Sequence, residues 1–283
     1  MGTLQTREKT LNPYTLPEEQ IQISLSGGRT SAYMLHQVLE ANGTLPENVE
    51  VLFANTGREL PETINFVQEL SDRWDVSVTW LEYDRVDNKV CYKQVNHNSC
   101  SMNGEPFEKL VESKQYLPNV MMRFCTEELK VRTMKRFLVN ELKWKNWVSA
   151  IGIRSDERHR CRSKSKDRWS FWYPLVDANV TKETITEFWK KQPFDLQLLN
   201  AQGKTPNSNC DFCFLKSEAT LAAMAREYPE RAQWWIDMEE KVNGTFHKNR
   251  NYKNFVDFVD RQQDWIFNEE AFLCQADDGD CTG

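Results

Sequence analysis

Two adjacent glycines lie among three hydroxyl side chains near the start of the chain, a combination suited to holding an anion. Glycine has no Cβ atom, so the backbone can turn sharply there and approach a ligand closely. If a helix begins at the same place, its first N–H groups have no intrahelical acceptor and attract phosphate or sulfate oxygens. The predicted anion-binding residues are Ser26, Gly27, Gly28, Arg29, Thr30 and Ser31.

A second group with chemical potential is the Cys-x-x-Cys motif of Cys210 and Cys213. The gap of two residues lets both sulfur atoms face one metal ion or iron–sulfur cluster. A redox pair has the same spacing but is expected at a strand-to-helix junction, whereas this motif follows a polar loop at residues 200–209. Three interpretations stay open: an iron–sulfur cluster, a zinc site, and reduced structural thiols.

The residues around the glycine pair predict a strand before it and a helix after it. Ile21, Ile23 and Leu25 alternate as in a strand, and an apolar stripe at helical spacing runs from Ala32 to Leu39. A plain glycine turn would also join a strand to a helix, but the three hydroxyl groups favour a phosphate site. The Gly-x-x-x-x-Gly-Lys loop and the Gly-x-Gly-x-x-Gly loop are both absent, because the glycines are adjacent and no lysine follows them.

The pattern along the first half of the chain alternates strands and helices, which predicts a Rossmann-like open parallel sheet covered by helices. Loops after such strands meet at the carboxyl edge of the sheet, where ligands bind. The predicted strands are Ile21–Ser26, Val49–Ala54, Val76–Tyr83 and Trp147–Ile153, and the predicted helices between them are Thr30–Ala41, Pro61–Asp72 and Glu127–Glu141.

We expect residues 1–176 to form a nucleotide-binding α/β core, in which residues 84–122 are an irregular excursion or lid. Residues 177–283 are expected to form a helical C-terminal region that carries the Cys-x-x-Cys motif and an acidic tail. In this region Thr181 and Ser217 are candidate helix N-caps. The predicted helices are Lys182–Lys191, one after Ser217, Pro229–Val242 and Tyr252–Gln262, and the tail contains Asp277, Asp278 and Asp280.

The glycine hexapeptide resembles the PP-loop, Ser-Gly-Gly-x-Asp-Ser, of the ATP pyrophosphatases and adenine-nucleotide α-hydrolases, with Thr30 in place of the aspartate. Five further segments in chain order resemble the phosphoadenosine phosphosulfate reductase family. These segments are Asn55–Thr63, Arg123–Thr126 with Leu129 and Lys130, Gly152–Glu157, Tyr173–Leu175 and Asn209–Lys216. The resemblance covers roughly residues 20–216 and includes the Ser-Gly-Gly loop.

The resemblance implies an adenine nucleotide, ATP or adenylyl sulfate, with its phosphates or sulfate on the backbone amides of residues 27–31. It places Asn55, Thr56 and Gly57 against the ribose or adenine. Arg154 is the expected transition-state cation, because a guanidinium stays charged and binds two oxygens at once, and Lys130 is expected to assist it. Asp156 and Glu157 would hold Mg²⁺ if the nucleotide is ATP, or would pair with neighbouring arginines.

The resemblance also suggests a 4Fe–4S cluster held by Cys125, Cys210 and Cys213. In cluster-bearing adenylyl-sulfate reductases a cysteine pair precedes the distant Cys-x-x-Cys, but here Phe124 precedes Cys125 and only three ligands can be assigned. The fourth ligand is unknown, and Cys161 is a candidate.

Composition is that of an enzyme of the cytoplasm: 283 residues, 40% hydrophobic and 28% charged, a polar N-terminus, and no apolar run that would serve as a membrane span. In that compartment the eight cysteines are expected to be reduced thiols or metal ligands. The net charge of −6 argues against general nucleic-acid binding. Residues 154–168, however, hold seven basic and three acidic side chains, either a solvated loop or a contact for a nucleotide or nucleic acid.

Three functions stay open. The first is an ATP-dependent sulfur-transfer enzyme that activates a substrate with pyrophosphate release and then directs sulfur onto the activated carbon or phosphorus. The cluster would be the sulfur carrier, and a sulfur-donor protein is a candidate partner. The second is reduction of phosphoadenosine phosphosulfate or adenylyl sulfate to sulfite by a cysteine thiol, with a thiol reductant protein. The family's reductases carry a C-terminal Glu-Cys-Gly-Leu-His motif that this chain lacks, and neither Cys274 nor Cys281 has a neighbouring histidine. The third is a catalytically silent nucleotide-binding module.

Overall fold

A computed structural model describes residues 12–201 and 203–262. In this part of the chain six strands form one sheet in the order β4-β3-β2-β1-β5-β6. Neighbouring strands are parallel except β4, which pairs antiparallel with β3 at one edge. The strands are β1 (Ile21–Leu25), β2 (Val49–Asn55), β3 (Thr79–Val86), β4 (Lys89–Val95), β5 (Trp147–Ala150) and β6 (Trp169–Trp172).

Helices connect the strands and continue after them. A π-helix, Thr126–Val131, runs directly into α4, and a 3₁₀ helix, Ser155–Arg160, follows β5. The α-helices are α1 (Arg29–Asn42), α2 (Pro61–Trp74), α3 (Glu105–Lys114), α4 (Arg132–Asn140), α5 (Pro174–Asp177), α6 (Lys182–Trp189), α7 (Glu218–Glu227), α8 (Pro229–Val242) and α9 (Tyr252–Arg261).

The register of the central strands separates two faces of the sheet. Ile21 lies beside Val49 on β2 and Val148 on β5, so these side chains share one face. This face packs in one large apolar cluster with side chains of α1 and α2, and the same cluster continues into the C-terminal helices. On the other face, Leu52 and Leu81 pack against α4. The sheet is therefore covered by helices on both sides.

The predicted doubly covered α/β sheet is confirmed, with one antiparallel edge strand. The third strand begins at Thr79 rather than Val76, and the predicted helix Glu127–Glu141 is divided into the π-helix and α4. The segment at residues 84–122 contains β4 and α3 instead of being irregular throughout. Asp87 and Asn88 form the hairpin turn with φ values of 50° and 61°, which Asp and Asn adopt more readily than most residues.

The predicted caps in the C-terminal region are confirmed. Thr181 and Thr184 form a capping box at α6, and the Ser217 hydroxyl accepts a hydrogen bond from the Thr220 amide at 3.1 Å. The acidic tail and the cysteines at 274 and 281 lie outside the described residues. None of the helices in the described part of the chain is long and apolar enough to span a bilayer.

Candidate nucleotide-binding site

The PP-loop, residues 26–31, joins β1 to α1 as a tight turn. Gly27 has φ of 79°, and a Cβ atom there would lie 2.5 Å from the Thr63 methyl carbon, so the position requires glycine. The Ser31 hydroxyl accepts from the Ser26 amide at 3.0 Å and lies 2.9 Å from the Ser26 hydroxyl. Because α1 begins at Arg29, the amides of Arg29, Thr30 and Ser31 belong to the first helical turn and are available to an anion.

The Arg29 side chain binds other parts of the protein and does not take part in anion binding. It is 6% exposed and donates to both carboxylate oxygens of Asp195, at 2.7 and 2.9 Å, and to the Thr205 hydroxyl at 2.7 Å. It also donates to the carbonyls of Leu196 and Leu198. Arg29 thus anchors the segment after α6, and what it can offer a nucleotide is its backbone amide.

Arg154, directly after β5, reaches the PP-loop. It is 3% exposed, and its Nη1 donates to the Thr30 hydroxyl at 3.4 Å. Gly152 makes this approach close, because a Cβ atom there would lie 3.1 Å from the Ser31 Cα. The fold therefore brings the predicted cation to the predicted anion-binding loop.

Asp156 and Glu157 form ion pairs with arginines. Asp156 Oδ1 lies 3.1 Å from Arg154 Nε, and Glu157 Oε1 lies 3.4 Å from Arg154 Nη2 and 3.1 Å from Arg160 Nη1. Across residues 12–201 and 203–262, no three His, Cys, Asp or Glu side chains are grouped so that they could hold a metal ion. The predicted Mg²⁺ ligands are instead partners of the cation beside the PP-loop.

The residues at the end of β2 are buried and bonded to the protein. The Asn55 amide donates to Glu82 at 2.7 Å and to the Ser101 carbonyl at 2.8 Å. A Cβ atom at Gly57, which has φ of 80°, would lie 2.9 Å from Pro106. The side chains of Asn55 and Thr56 are 0% and 1% exposed, so they shape this turn, and a contact of residues 55–57 with the nucleotide stays a prediction.

Glu59 and Lys130 form a largely buried ion pair, which was not predicted from the sequence. Glu59 is 1% exposed, its Oε2 accepts from the Thr56 amide and hydroxyl at 2.9 and 2.8 Å, and its Oε1 lies 3.7 Å from Lys130 Nζ. Lys130 is on the π-helix, a rare form often found at functional sites. A signal existed in the sequence, since Glu59 and Lys130 both lie in segments that resemble the family.

A cavity, here called the sheet cavity, lies on the α4 face of the sheet, and Ser26 of the PP-loop and Lys130 are among its lining residues. Polar strand residues form part of its wall: Ser149 donates to Gln22 Oε1 at 3.1 Å, and Gln22 Nε2 donates to Ser24 at 2.8 Å. Its aromatic side includes Trp147, Trp169 and Phe171. The Trp147 and Trp169 rings are stacked at 5.4 Å.

The sequence reasoning did not identify this cavity, although a signal was present. Central strands of a parallel sheet are covered on both faces and are usually apolar throughout. Gln22, Ser24 and Ser149 alternate with apolar residues on β1 and β5, which are central strands. Polar side chains on the inner face of a central strand indicate a cavity for a polar ligand.

The metal and cluster interpretations of the cysteines stay predictions. Cys210 and Cys213 are buried and Cys125 is half-buried, but in the described residues they do not form a metal-binding group of three. The Cys210 sulfur instead lies 3.2 Å from the Thr56 hydroxyl. Cys161 packs in a separate small cluster of apolar residues, which also explains why burial raises the pKa of its thiol. A 4Fe–4S cluster or a zinc ion on these cysteines therefore has no group of three ligands among the described residues.

The middle of the Cys-x-x-Cys motif has a structural role that its sequence does not reveal. Asp211 is 0% exposed and accepts from Arg58 at 3.0 and 2.7 Å, from Trp235 at 2.8 Å, and from Arg231. The Tyr252 hydroxyl donates to the Phe212 carbonyl in the same loop. The motif is therefore fixed by its aspartate to the turn after β2.

Comparison with other proteins identifies relatives of this chain. It is 31% identical over 211 residues to the uncharacterized nin region protein ORF290 of Escherichia phage lambda, covering 72% of this chain and 69% of that protein. Two uncharacterized proteins of Methanocaldococcus jannaschii are 24% and 22% identical over 156 and 227 residues. Those matches cover 55% and 77% of this chain but only 27% and 47% of the archaeal proteins.

Two solved structures have a similar chain course at low sequence identity. A phosphoadenylyl-sulfate reductase from Candida auris, in a phosphate complex, has a TM-score of 0.41 and 16% identity, covering 64% of this chain and 80% of that one. The U34-tRNA thiolase NcsA from Methanococcus maripaludis, solved with its 4Fe–4S cluster, has a TM-score of 0.40 and 13% identity, covering 92% of this chain and 78% of that one.

The family itself is shown by a match to a model of the whole domain. The model described as the phosphoadenosine phosphosulfate reductase domain matches residues 20–203, which include the PP-loop, the turn after β2, the π-helix and Arg154. The chain is a member of the phosphoadenosine phosphosulfate reductase domain family.

Proposed function

We propose that this protein is an adenine-nucleotide-dependent sulfur-transfer enzyme that binds ATP and activates an acceptor with release of pyrophosphate. The observation that carries the proposal is the contact between Arg154 and the PP-loop, at 3.4 Å from the Thr30 hydroxyl. This contact brings together a helix N-terminus that can bind phosphate oxygens and a buried guanidinium. The guanidinium can stabilise the negative charge that develops as a phosphate reacts. Membership of the family supports a nucleotide and sulfur chemistry.

In this proposal the nucleotide lies along the PP-loop and the sheet cavity, which share Ser26. Ser26 belongs to both, so a ligand with its phosphates on residues 26–31 can extend into the cavity. Trp147 and Trp169 offer flat apolar surfaces to a base, and Gln22 and Ser24 offer hydrogen-bonding groups to a base or ribose. In this arrangement the α-phosphate lies between the PP-loop and Lys130.

The proposed first step is attack on the α-phosphorus by a nucleophilic oxygen of the acceptor. A bond forms between that oxygen and phosphorus, the bond from phosphorus to the bridging oxygen breaks, and the electron pair leaves with pyrophosphate. Hydrosulfide released by a donor protein then attacks the activated carbon of the acceptor. A carbon–sulfur bond forms, the carbon–oxygen bond to AMP breaks, AMP leaves with the electron pair, and the proton of the hydrosulfide passes to solvent. Arg154 and Lys130 stabilise the negative charge that develops on the phosphoryl oxygens in the first step.

The role of metal in this proposal is limited by the residues present. Mg²⁺ would enter with ATP as part of the substrate, because Asp156 and Glu157 are paired with arginines. No step is assigned to an iron–sulfur cluster, because the three cysteines named for it do not form a ligand group in the described residues.

The test measures nucleotide binding and products together. Equilibrium dialysis with labelled ATP and labelled phosphoadenosine phosphosulfate reports affinity, and incubation with a pool of candidate acceptors reports pyrophosphate or sulfite. ATP binding with acceptor-dependent pyrophosphate release supports the proposal. Sulfite from phosphoadenosine phosphosulfate would assign the chain to the reductases, and nucleotide binding without either product would assign it to the silent modules.

A loop variant with a matched control locates the binding site. Ser26→Ala combined with Ser31→Ala removes two of the three hydroxyls of the loop, and we expect about tenfold weaker ATP binding because the hydrogen bonds that fix the shape of the loop are lost. Thr245→Ala removes a hydroxyl whose hydrogen bond, to the His247 carbonyl, lies on an exposed C-terminal loop, and it should leave affinity unchanged. Equal affinity of the loop variant and the wild-type chain would contradict the placement of the phosphates.

A further inference from the structure

A second cavity lies at the β6 edge of the sheet, next to the sheet cavity, and neither the PP-loop nor Arg154 lines it. Its lining includes Arg158, Cys161, Arg162, Phe171, Tyr173 and Asp177. Phe171 lines both cavities, so the two spaces are neighbours. We call this second space the β6 cavity.

The side chains of the β6 cavity combine flat surfaces with both hydrogen-bond donors and an acceptor. The rings of Phe171 and Tyr173 are 5.8 Å apart and inclined by only 22°. The Tyr173 hydroxyl bonds to the Arg162 backbone, accepting from its amide at 3.0 Å, and so fixes this part of the basic segment at the cavity. Arg158 and Arg162 supply donors and Asp177 supplies an acceptor.

This set of groups matches the chemistry of a nucleobase. A base has a planar face that stacks on aromatic rings and guanidinium groups, and an edge with both donors and acceptors. A simple polyphosphate would meet the carboxylate of Asp177 and would gain nothing from the aromatic rings. A purely apolar ligand would leave the two arginines unused.

The surroundings of the cavity favour a polymer over a free nucleoside. The chain continues from Arg162 into exposed Lys164, Lys166 and Arg168. Side chains of this kind bind phosphates along a strand without reading its sequence. The whole chain has a net charge of −6, so this basic segment is a local feature and not a general property of the surface.

We propose that the β6 cavity binds an unpaired base of a single-stranded nucleic acid, which is the acceptor in the reaction. This inference rests on the proposed function, because it takes the nucleotide to lie in the sheet cavity, which shares Phe171 with the β6 cavity. We expect an unpaired strand because a base in a duplex is paired and stacked. Such a base would have to leave the stack before it could enter a cavity. Arg158 and Arg162 bind the base and its flanking phosphate, and the exposed lysines bind the strand.

The test is fluorescence anisotropy of the full-length protein with a labelled single-stranded 15-mer, RNA and DNA separately, without ATP. We expect Arg158→Glu with Arg162→Glu to weaken binding at least about tenfold, because two cationic contacts become repulsive. The matched control is Lys89→Glu with Lys93→Glu, the same charge change at exposed positions on β4, the opposite edge of the sheet. The control should bind within about twofold of wild type.

Three further ligands separate base recognition from electrostatic attraction. A duplex of the same sequence and a strand with abasic sites should each bind at least about fivefold more weakly than the intact single strand, because stacking is lost. Equal binding of the abasic strand or the duplex would overturn the proposal in favour of backbone contacts alone. A mononucleotide that binds as tightly as the 15-mer would overturn it in favour of a small-molecule acceptor.

The same variants distinguish failure of this inference from failure of the proposed function. Arg158→Glu with Arg162→Glu should bind ATP within about threefold of wild type at moderate salt, because neither residue lines the sheet cavity. Wild-type protein that binds single strands but no ATP would contradict the nucleotide site and leave strand binding intact. Wild-type protein that binds ATP but no single strand would contradict only the β6 cavity assignment.

Discussion

The PP-loop and the Cys-x-x-Cys loop both carry reactive side chains, but they differ in their hydrogen-bond partners. The PP-loop bonds mainly within itself, whereas the Cys-x-x-Cys loop bonds to distant parts of the chain. In the PP-loop the hydroxyls of Ser26 and Ser31 bond mainly to each other and to the loop itself, so the amides at the start of α1 remain available to a ligand. In the Cys-x-x-Cys loop the central Asp211 binds two arginines and a tryptophan. The first loop is organised for a ligand from outside, and the second for a partner within the chain.

The chemistry of a motif therefore depends on which of its polar groups already bind other parts of the chain. Cys210 and Cys213 have the spacing of a metal site, yet Asp211, one of the two residues between them, is the buried anchor that holds the loop to the turn after β2. That turn contains Thr56, whose hydroxyl contacts both Glu59 and Cys210. Through these contacts, the second loop holds the turn after β2 in place.

Replacing Asp211 should give the largest effect and tests the internal role of the second loop. In Asp211→Asn the buried Arg58 and Arg231 lose their shared negative partner, and we expect the free energy of unfolding to fall by about 3 kcal/mol. Urea denaturation followed by circular dichroism measures this change. Asp237→Asn, whose carboxylate is exposed on α8, is the matched control, and an Asp211 variant as stable as that control would contradict the anchor role.

Replacing Arg154 tests the external role of the first loop. Arg154→Ala should lower the turnover number about 100-fold with nucleotide affinity within about threefold, because the guanidinium acts mainly as charge develops in the transition state. Arg73→Ala removes an exposed arginine of α2 and should leave both constants unchanged. If the Arg154 variant loses nucleotide affinity but keeps its turnover number, Arg154 binds the nucleotide in the ground state and does not stabilise the transition state.

Replacing a cysteine of the motif separates a packed thiol from a metal ligand. Cys213→Ala should lower the free energy of unfolding by only about 1 kcal/mol, since one buried sulfur atom is lost. Cys91→Ala, at a half-buried position on β4, is the control. Protein purified without oxygen should contain only substoichiometric iron and zinc, and a metal-loaded chain that unfolds after Cys213→Ala would restore the cluster or zinc interpretation.

The smallest expected effect concerns His247, which packs against Tyr252 beside the second loop. Burial lowers the pKa of His247 to about 4, from an ordinary value of 6.5. Between these values the unfolded chain binds more protons than the folded chain, so the free energy of unfolding falls as the pH decreases from 6.5 towards 4. His247→Gln should make this decline shallower, and an identical pH profile would contradict the assignment.

The sequence predicted the parts of the molecule that depend on local periodicity and local chemistry. The unit of β1, PP-loop and α1 was recognisable because its strand, turn and helix patterns follow each other directly in the sequence. The caps at Thr181 and Ser217 were recognisable for the same reason. The contact of Arg154 with the PP-loop followed from the rule that parallel strands end at one edge.

The parts that were missed depend on contacts between distant residues or on short elements. The ion pair of Arg58 and Asp211 joins positions 153 residues apart, and nothing in either segment indicates the other. Strand β6 has four residues and follows a basic segment, so its Trp-Ser-Phe-Trp sequence gave no strand period. The cysteines were assigned by spacing, which does not show that the intervening aspartate is already engaged.

The π-helix at Thr126–Val131 has a consequence for insertions and deletions in this family. A π-turn contains one more residue than an α-turn, so deletion of a single residue there would convert it to a regular helix. Each residue of an α-helix turns the chain by about 100°, so such a deletion would rotate Lys130 relative to α4 and away from Glu59. A loss of one residue at this place would therefore change the charge inside the sheet cavity while leaving the strand order of the protein intact.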